Sequence, residues 1–393
     1  LEGVVVLNKK YPLTISFFLL LLLVGFSVAG TSGELIIHYL DLGQADSILL
    51  ELPNNEIMLI DAGNNSDGQK LVNYLREQGI DTIDYLIGTH PHADHIGGLD
   101  DVIENFVIGR IYMPEVIHTT KTFEDVLLAV QRKGKKITPA RTGVSIIDDP
   151  VLQIYFLSPI NNNYKDLNHY SAVVKVDFLD KSFLFTGDAE KINEEEMIEK
   201  YGVRLKSHIL KVGHHGSNTS TSEEFIEKVV PDYAVISVGK DNSYGHPSAL
   251  VIQRLQNHGV KIYRTDLQGT IIARSDGQQI LFNQDPVNQN ITGNHGIIIE
   301  SVDLVKEMVI IRNNSNETVN LSRWRLVSVV GNQEFIFPQG TLIRPGERLK
   351  IVSGSAASNI DENTMLWTKS YIWNNDGDPA ELYDDKNNLI ATY

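Results

Sequence analysis

The chain has no cysteine among its 393 residues. Disulfides, thiolate zinc sites and cysteine nucleophiles are therefore excluded, leaving His, Asp and Glu to build any metal site and serine to supply any covalent nucleophile. Positive charge is also scarce: 34 Lys and Arg stand against 50 Asp and Glu, a formal net charge of −16. A surface of that sign does not hold nucleic acid by bulk electrostatics, although metal ions can supply positive charge locally to a phosphate substrate. With 42% hydrophobic and 21% charged residues, the composition is that of a globular protein, neither disordered nor polytopic. The length fits two or three domains.

The N-terminal thirty residues stand apart. Asn8-Lys9-Lys10 gives a basic stretch, Leu13 to Val24 is almost wholly apolar, and Ser27-Val28-Ala29 resembles a small-residue cleavage site, the plan of a signal peptide over residues 1–30. Pro12 to Ala29 also comes close to the ~20 apolar residues that span a bilayer, so the alternative is an uncleaved N-terminal anchor. Either reading predicts a location outside the cytoplasm: extracellular, or membrane-anchored and facing outward, with the membrane touched only through this segment.

From Glu34 short apolar runs alternate with turn residues. Leu35 to Leu40, Ser47 to Leu52 and Ile57 to Ile60 read as strands, Gly68 to Gln78 as a helix with Leu71, Val72 and Leu75 on one face, and Tyr85 to Gly88 as a further strand. Helices are expected over Phe123 to Arg132, Asn193 to Tyr201, Ser222 to Val229 and Pro247 to His258. Strands are expected over Val173 to Phe178, Ser182 to Thr186, Ser207 to Val212 and Tyr233 to Val238. This succession predicts a layered α/β domain over residues 34–283. Residues 284–296, rich in Asn, Gln, Pro and Gly, read as a linker. Residues 297–393 carry turn-separated strands at short intervals, the pattern of a small β-sandwich, with Trp324 and Trp373 as core residues.

Chemistry concentrates just after the strand ending at Gly88. His90, His92, Asp94 and His95 lie within six residues, before Gly97-Gly98. Solvated loop histidines do not account for that density, whereas a metal site does. Alternate residues 90 and 92 can serve one ion, and Asp94 and His95 a second.

This run resembles the signature of the metallo-β-lactamase superfamily. Leu59-Ile60-Asp61-Ala62-Gly63, Thr186-Gly187-Asp188 and Val212-Gly213-His214-His215-Gly216-Ser217 match its further motifs in order. The resemblance implies a four-layer αββα fold, two divalent metal ions (Zn or Mn), and His90, His92, Asp94, His95, Asp188 and the His214/His215 pair as ligands. Asp188 would bridge the ions, Asp94 would also orient the attacking water, and Asp61 would buttress the loop. One of His214 and His215 is expected to ligate and the other to meet substrate, because neighbours on an extended segment point apart; His214 is the preferred ligand. A third histidine on the first ion is wanting: the matching stretch is Leu167-Asn168-His169-Tyr170-Ser171, and His169 reads as a loop residue. Asp41 to Ser47, Gly245-His246-Pro247 and Thr265 to Gly269 narrow the resemblance to the soluble C-terminal domain of ComEC DNA-uptake proteins, which implies nuclease activity. His246 is expected to open a helix at the mouth of the site and, as an imidazolium, to neutralise the scissile phosphate. Asp46 and Asp266 read as turn formers.

Residues 297–393 resemble the lamin tail domain, an immunoglobulin-like sandwich, on Met308 to Asn313, Val319 to Leu326, Phe335 to Pro338, Ile343 to Glu347 and Trp373 to Tyr383. That implies a module binding a cell surface or polymer. The expectation is thus an exported metal-dependent nuclease or phosphodiesterase acting on DNA or another phosphodiester. The alternatives are another hydrolase on this fold (phosphorylcholine esterase, lactonase or β-lactamase-like) and a surface-binding protein with a vestigial metal site.

Overall fold

The computed structural model describes residues 33–287 and 296–393 apart from 359, 360, 362, 376, 387 and 388. The apolar run at Leu13 to Val24 and most of the 284–296 linker fall outside the described residues. No helix among those described is long and apolar enough to cross a membrane.

Two sheets pack face to face. The first runs in the order Ile280–Phe282, Ile271–Ser275, Leu35–Tyr39, Ile48–Glu51, Ile57–Ile60, Thr82–Ile87, Val107–Met113, Ile137–Pro139. The second runs Lys261–Arg264, Tyr233–Ile236, Ile209–Lys211, Lys181–Phe185, Val174–Phe178, Leu152–Phe156, Ser145–Asp148. Alternate residues Leu35, Ile37 and Tyr39 of the first face Phe156, Val176, Phe183 and Phe185 of the second in one buried core. Helices cover both outer faces, so the central strands are apolar on both sides and read as continuous hydrophobic runs. Leu71, Val72 and Leu75 of helix Gly68–Glu77 and Val126 and Ala129 of helix Lys121–Arg132 bury against Leu49, Leu59 and Leu86. Met197, Phe225 and Val229 cover Leu184 and Leu210, while Val251 and Leu255 cover Ala234 and Ile236. The four-layer αββα architecture follows from this arrangement.

The pairing is parallel where the site is built. Strands Ile57–Ile60, Thr82–Ile87 and Val107–Met113 run parallel in the first sheet. Lys181–Phe185, Ile209–Lys211, Tyr233–Ile236 and Lys261–Arg264 do so in the second. Their carboxyl ends open onto one edge of the sandwich, the place where open α/β sheets present ligand-binding loops. The helices fall within one or two residues of their expected bounds, and the last long one shows why. It spans Ala249–Asn257 rather than starting at Pro247, because the Ser248 side chain accepts the Leu250 N–H and caps it.

The C-terminal region is a β-sandwich. One sheet contains Ile297–Asp303, Met308–Asn313, Arg348–Val352 and Thr364–Leu366; the other contains Gln333–Ile336, Arg325–Ser328, Ala380–Tyr383 and Leu389–Thr392. Trp324 and Trp373 are buried between them with Ile311, Leu326 and Phe337. The edge strand Ile297–Asp303 eluded the sequence pattern because a bulge between Ile299 and Ser301 breaks its alternation.

Candidate metal centre

The His90–His95 loop leaves strand Thr82–Ile87 and turns into a single helical turn, Ala93–Ile96. Glycine is needed behind it: a Cβ on Gly97 would lie 2.2 Å from the Asn65 backbone nitrogen. Asp61, at the end of strand Ile57–Ile60 and at φ 60°, holds the loop from below. Its carboxylate accepts the Thr89 N–H and Thr89 hydroxyl at 2.7 Å each and the His95 Nδ1–H at 2.8 Å.

Asp188 sits at the centre. It follows strand Lys181–Phe185, and its backbone N–H is received by Ser171 Oγ at 3.2 Å. Its two oxygens face two groups of side chains. Oδ1 lies 3.1 Å from His95 Nε2 and 3.7 Å from His215 Nε2, and His215 Nε2 is 3.4 Å from Asp94 Oδ2. Oδ2 lies 4.0 Å from His90 Nε2 and 3.7 Å from His214 Nε2, and His90 Nε2 is 2.9 Å from His92 Nδ1.

The first of these groups fits a metal ion. Ligand atoms of Asp94, His95, Asp188 and His215 all lie within 4.8 Å of one another. His95 Nε2, His215 Nε2 and Asp188 Oδ1 are buried without a hydrogen-bond partner, the 3.1 Å approach of His95 to Asp188 lacking hydrogen-bond alignment. Each such group costs about 1–3 kcal/mol if left so, and one cation satisfies all three. The imidazole and carboxylate donor set suits a divalent metal ion.

The outer ring nitrogens are occupied, which leaves the inner ones directed at the centre. His215 Nδ1 meets the Ser237 carbonyl at 2.9 Å, His90 Nδ1 the Thr89 hydroxyl at 3.1 Å, and His214 Nδ1 the Glu190 carboxylate at 3.0 Å. Burial pushes the Asp188 pKa up but is overridden by the charges of His95 and His215, which hold it well below the usual carboxylate range. Burial pushes His95 down, yet the charges of Asp188 and Asp61 carry it well above the ordinary histidine value. His90, buried and beside His95, is held well below that value.

The expectation that His214 and His215 point apart rested on an extended backbone, and the segment is not extended. Both residues are left-handed, with φ 46° and 53°, a conformation that costs of order 1–3 kcal/mol per non-glycine residue and gathers at functional sites. The turn aims His215 at Asp188 Oδ1 and His214 at Oδ2. His215, preferred as the substrate contact, is thus the one in the tight cluster. His169 faces Glu190 Oε2 at 3.0 Å rather than Asp188.

His246 lies at the rim, its ring edge-to-face with His214 at 5.6 Å. It precedes the Ser248 cap and opens no helix. Burial and the neighbouring His214 and His215 lower its pKa to about 4, so it is a neutral imidazole at pH 7 and not the imidazolium expected. Asp266 is engaged by the Arg264 guanidinium. Asp46 is no turn former: it is 1% exposed, paired with the fully buried Lys211, and lies 3.4 Å from His215 Nδ1. The signal that could have found it was Lys211 itself, a lone charge in the apolar run Ile209 to Val212. Glu190, the anchor of both His169 and His214, carried no such signal.

Residues 40–240 match the family model of the metallo-β-lactamase superfamily, and residues 290–393 that of the lamin tail domain. The chain is 35% identical over 257 residues to ComE operon protein 3 of Bacillus subtilis and 34% identical over 258 residues to competence protein ComA of Neisseria gonorrhoeae. These alignments cover 61% and 64% of this chain but 33% and 34% of the relatives, so the chain spans about a third of the length of each. Among solved structures, CmlA, a diiron β-hydroxylase from Streptomyces venezuelae, aligns with a TM-score of 0.41 and 14% identity, over 62% of this chain and 54% of that one.

Proposed function

The chain belongs to the metallo-β-lactamase superfamily, generally metal-dependent hydrolases, and from that premise we propose that it is an exported two-metal phosphodiesterase whose substrate is DNA or a related phosphodiester. The observation that carries the reading is Asp188, whose two oxygens face separate ligand groups. On this reading Asp94, His95, His215 and Asp188 would hold one ion, and His90, His92 and Asp188 the other, with His214 in the place of the wanting third histidine.

Two bound divalent ions supply Lewis acidity and lower the pKa of a water to near 7. The protein's part is to position and exclude. Asp61, Ser237 and Glu190 fix the imidazole tautomers, and the buried rings keep bulk water away from the Asp188 side of the cluster. Asp94, a third exposed, would orient the attacking water through its carboxylate. His246, neutral at the rim, would offer an N–H to a phosphate oxygen. The similarity to two competence proteins favours a phosphodiester over a lactam or lactone. The lamin tail domain would tether the enzyme to a surface or polymer, as suits an exported protein.

The test is hydrolysis of plasmid, single-stranded DNA and bis-p-nitrophenyl phosphate, each with manganese, zinc or chelator. Chelator-sensitive cleavage of DNA is expected. Cleavage of the small diester alone would point to a small-molecule or cell-wall phosphodiesterase, and no cleavage of any of the three would remove the proposal.

A further inference from the structure

Beside the metal cluster the structure carries an exposed aromatic ring that the fold has no use for. Tyr244 is 71% exposed. It is nonetheless held in place by its loop. Asn242 Nδ2 donates to the carbonyls of Gly239 and His246, at 2.9 and 2.6 Å, while its Oδ1 accepts the N–H groups of Tyr244 and His246 at 3.1 and 3.0 Å. All the hydrogen-bonding capacity of one side chain is thus spent on fixing a five-residue turn. The Tyr244 ring lies nearly parallel to His246, centroids 5.7 Å apart and planes 26° apart. His246 meets His214 edge-on, and His214 Nε2 lies 3.7 Å from Asp188 Oδ2. Three rings therefore step outward from the cluster to solvent, and the last has a face open to water.

We propose that Tyr244 is a stacking platform for a nucleobase flanking the scissile phosphate, so that the substrate class is single-stranded nucleic acid or a frayed end. This rests on the phosphodiesterase reading. Two further observations favour it. Away from the metal centre a chain of net charge −16 gains little from the phosphate backbone, so contacts that do not depend on charge count for more there, and base–aromatic stacking is one that every base can make. Within a duplex both faces of an internal base are already covered by its neighbours, so a rim-mounted ring finds a free face only on single strands and ends. An alkyl phosphodiester gains nothing from such a platform.

The experiment measures kcat and KM of the whole protein, wild type, Tyr244→Ala and Tyr244→Trp, on a single-stranded oligonucleotide and on an abasic oligomer of equal length. Tyr244→Ala is expected to raise KM about thirtyfold on the base-bearing strand, the middle of the range for one stacked base, and to leave KM on the abasic strand unchanged. Tyr244→Trp should restore wild-type KM, which also shows that the loop tolerates substitution. If wild type cleaves both strands and Tyr244→Ala changes neither KM, or raises both alike, stacking is overturned while the phosphodiesterase reading stands. If wild type cleaves neither strand but hydrolyses bis-p-nitrophenyl phosphate, stacking is overturned and a phosphodiesterase remains; if it cleaves none of these with manganese or zinc, both readings fall.

Discussion

Replacing Asp61 separates the stability of the site from its affinity for metal. Its carboxylate accepts three hydrogen bonds from a position 1% exposed, at φ 60°. Asp61→Ala strands the Thr89 N–H and the His95 Nδ1–H, at about 1–3 kcal/mol each, and sets alanine in a left-handed conformation that costs about 1 kcal/mol more. The Thr89 hydroxyl can turn to His90 Nδ1 at 3.1 Å and loses little. The expected total is about 3–7 kcal/mol. Asp61→Asn is different. Its Oδ1 still accepts the Thr89 N–H, asparagine tolerates the positive φ, and removing the charge relieves the burial that pushes the Asp61 pKa up. The expected loss of stability is only about 1 kcal/mol. However, its NH2 now faces His95 Nδ1, which must become an acceptor, so the His95 proton moves to Nε2, the atom that faces Asp188. Metal affinity should fall by about 10–100-fold, as when an outer partner of a ligand histidine is lost. Urea denaturation of the metal-free protein gives the first quantity and competition with a chromogenic chelator the second. An Asn variant that binds metal as tightly as wild type, or that loses as much stability as Ala, would refute the tautomer argument.

Three further outcomes are expected. Lys211→Met leaves Asp46 buried and unpaired beside His215 and should cost about 3–5 kcal/mol, read as a lowered urea midpoint at pH 7; an unchanged midpoint would show that Asp46 finds another partner. Asp188→Ala should abolish turnover with manganese or zinc in excess while the circular dichroism of the protein stays native, and undiminished activity would sink the two-metal mechanism. Glu190 is subject to burial, which raises its pKa, but its hydrogen bonds from His214, Thr219 and His169 outweigh this and lower it from 4.5 to about 2. A depressed carboxylate stabilises the fold above its unfolded pKa, and that contribution is lost as pH falls through the folded one. Glu190→Gln should therefore be less stable than wild type at pH 6, and the gap should close between pH 4.5 and 2; a gap independent of pH would exclude an ionised Glu190.

Much of this was legible in the linear chain. Strands such as Ile57–Ile60 and Tyr233–Ile236 announce themselves because each is buried on both faces over most of its length and so remains apolar. The candidate ligands His90, His92, Asp94 and His95 are conspicuous because one loop supplies all four, and period-two spacing alone predicts that His90 and His92 share a direction. Trp324 and Trp373 were readable as core because a large aromatic within turn-separated strands has the most apolar surface to bury. What the tertiary structure decided lies where backbone conformation or distant packing sets direction. His214 and His215 converge on the two oxygens of Asp188 because two successive left-handed residues fold the segment back, and that conformation is too uncommon, even for histidine, to be read from the sequence. Asp46 and Lys211 are 165 positions apart and meet only because the two sheets bring their strand ends to one edge. His246 is neutral because it is buried and lies beside His214 and His215, surroundings that exist only once two loops far apart in sequence are brought together.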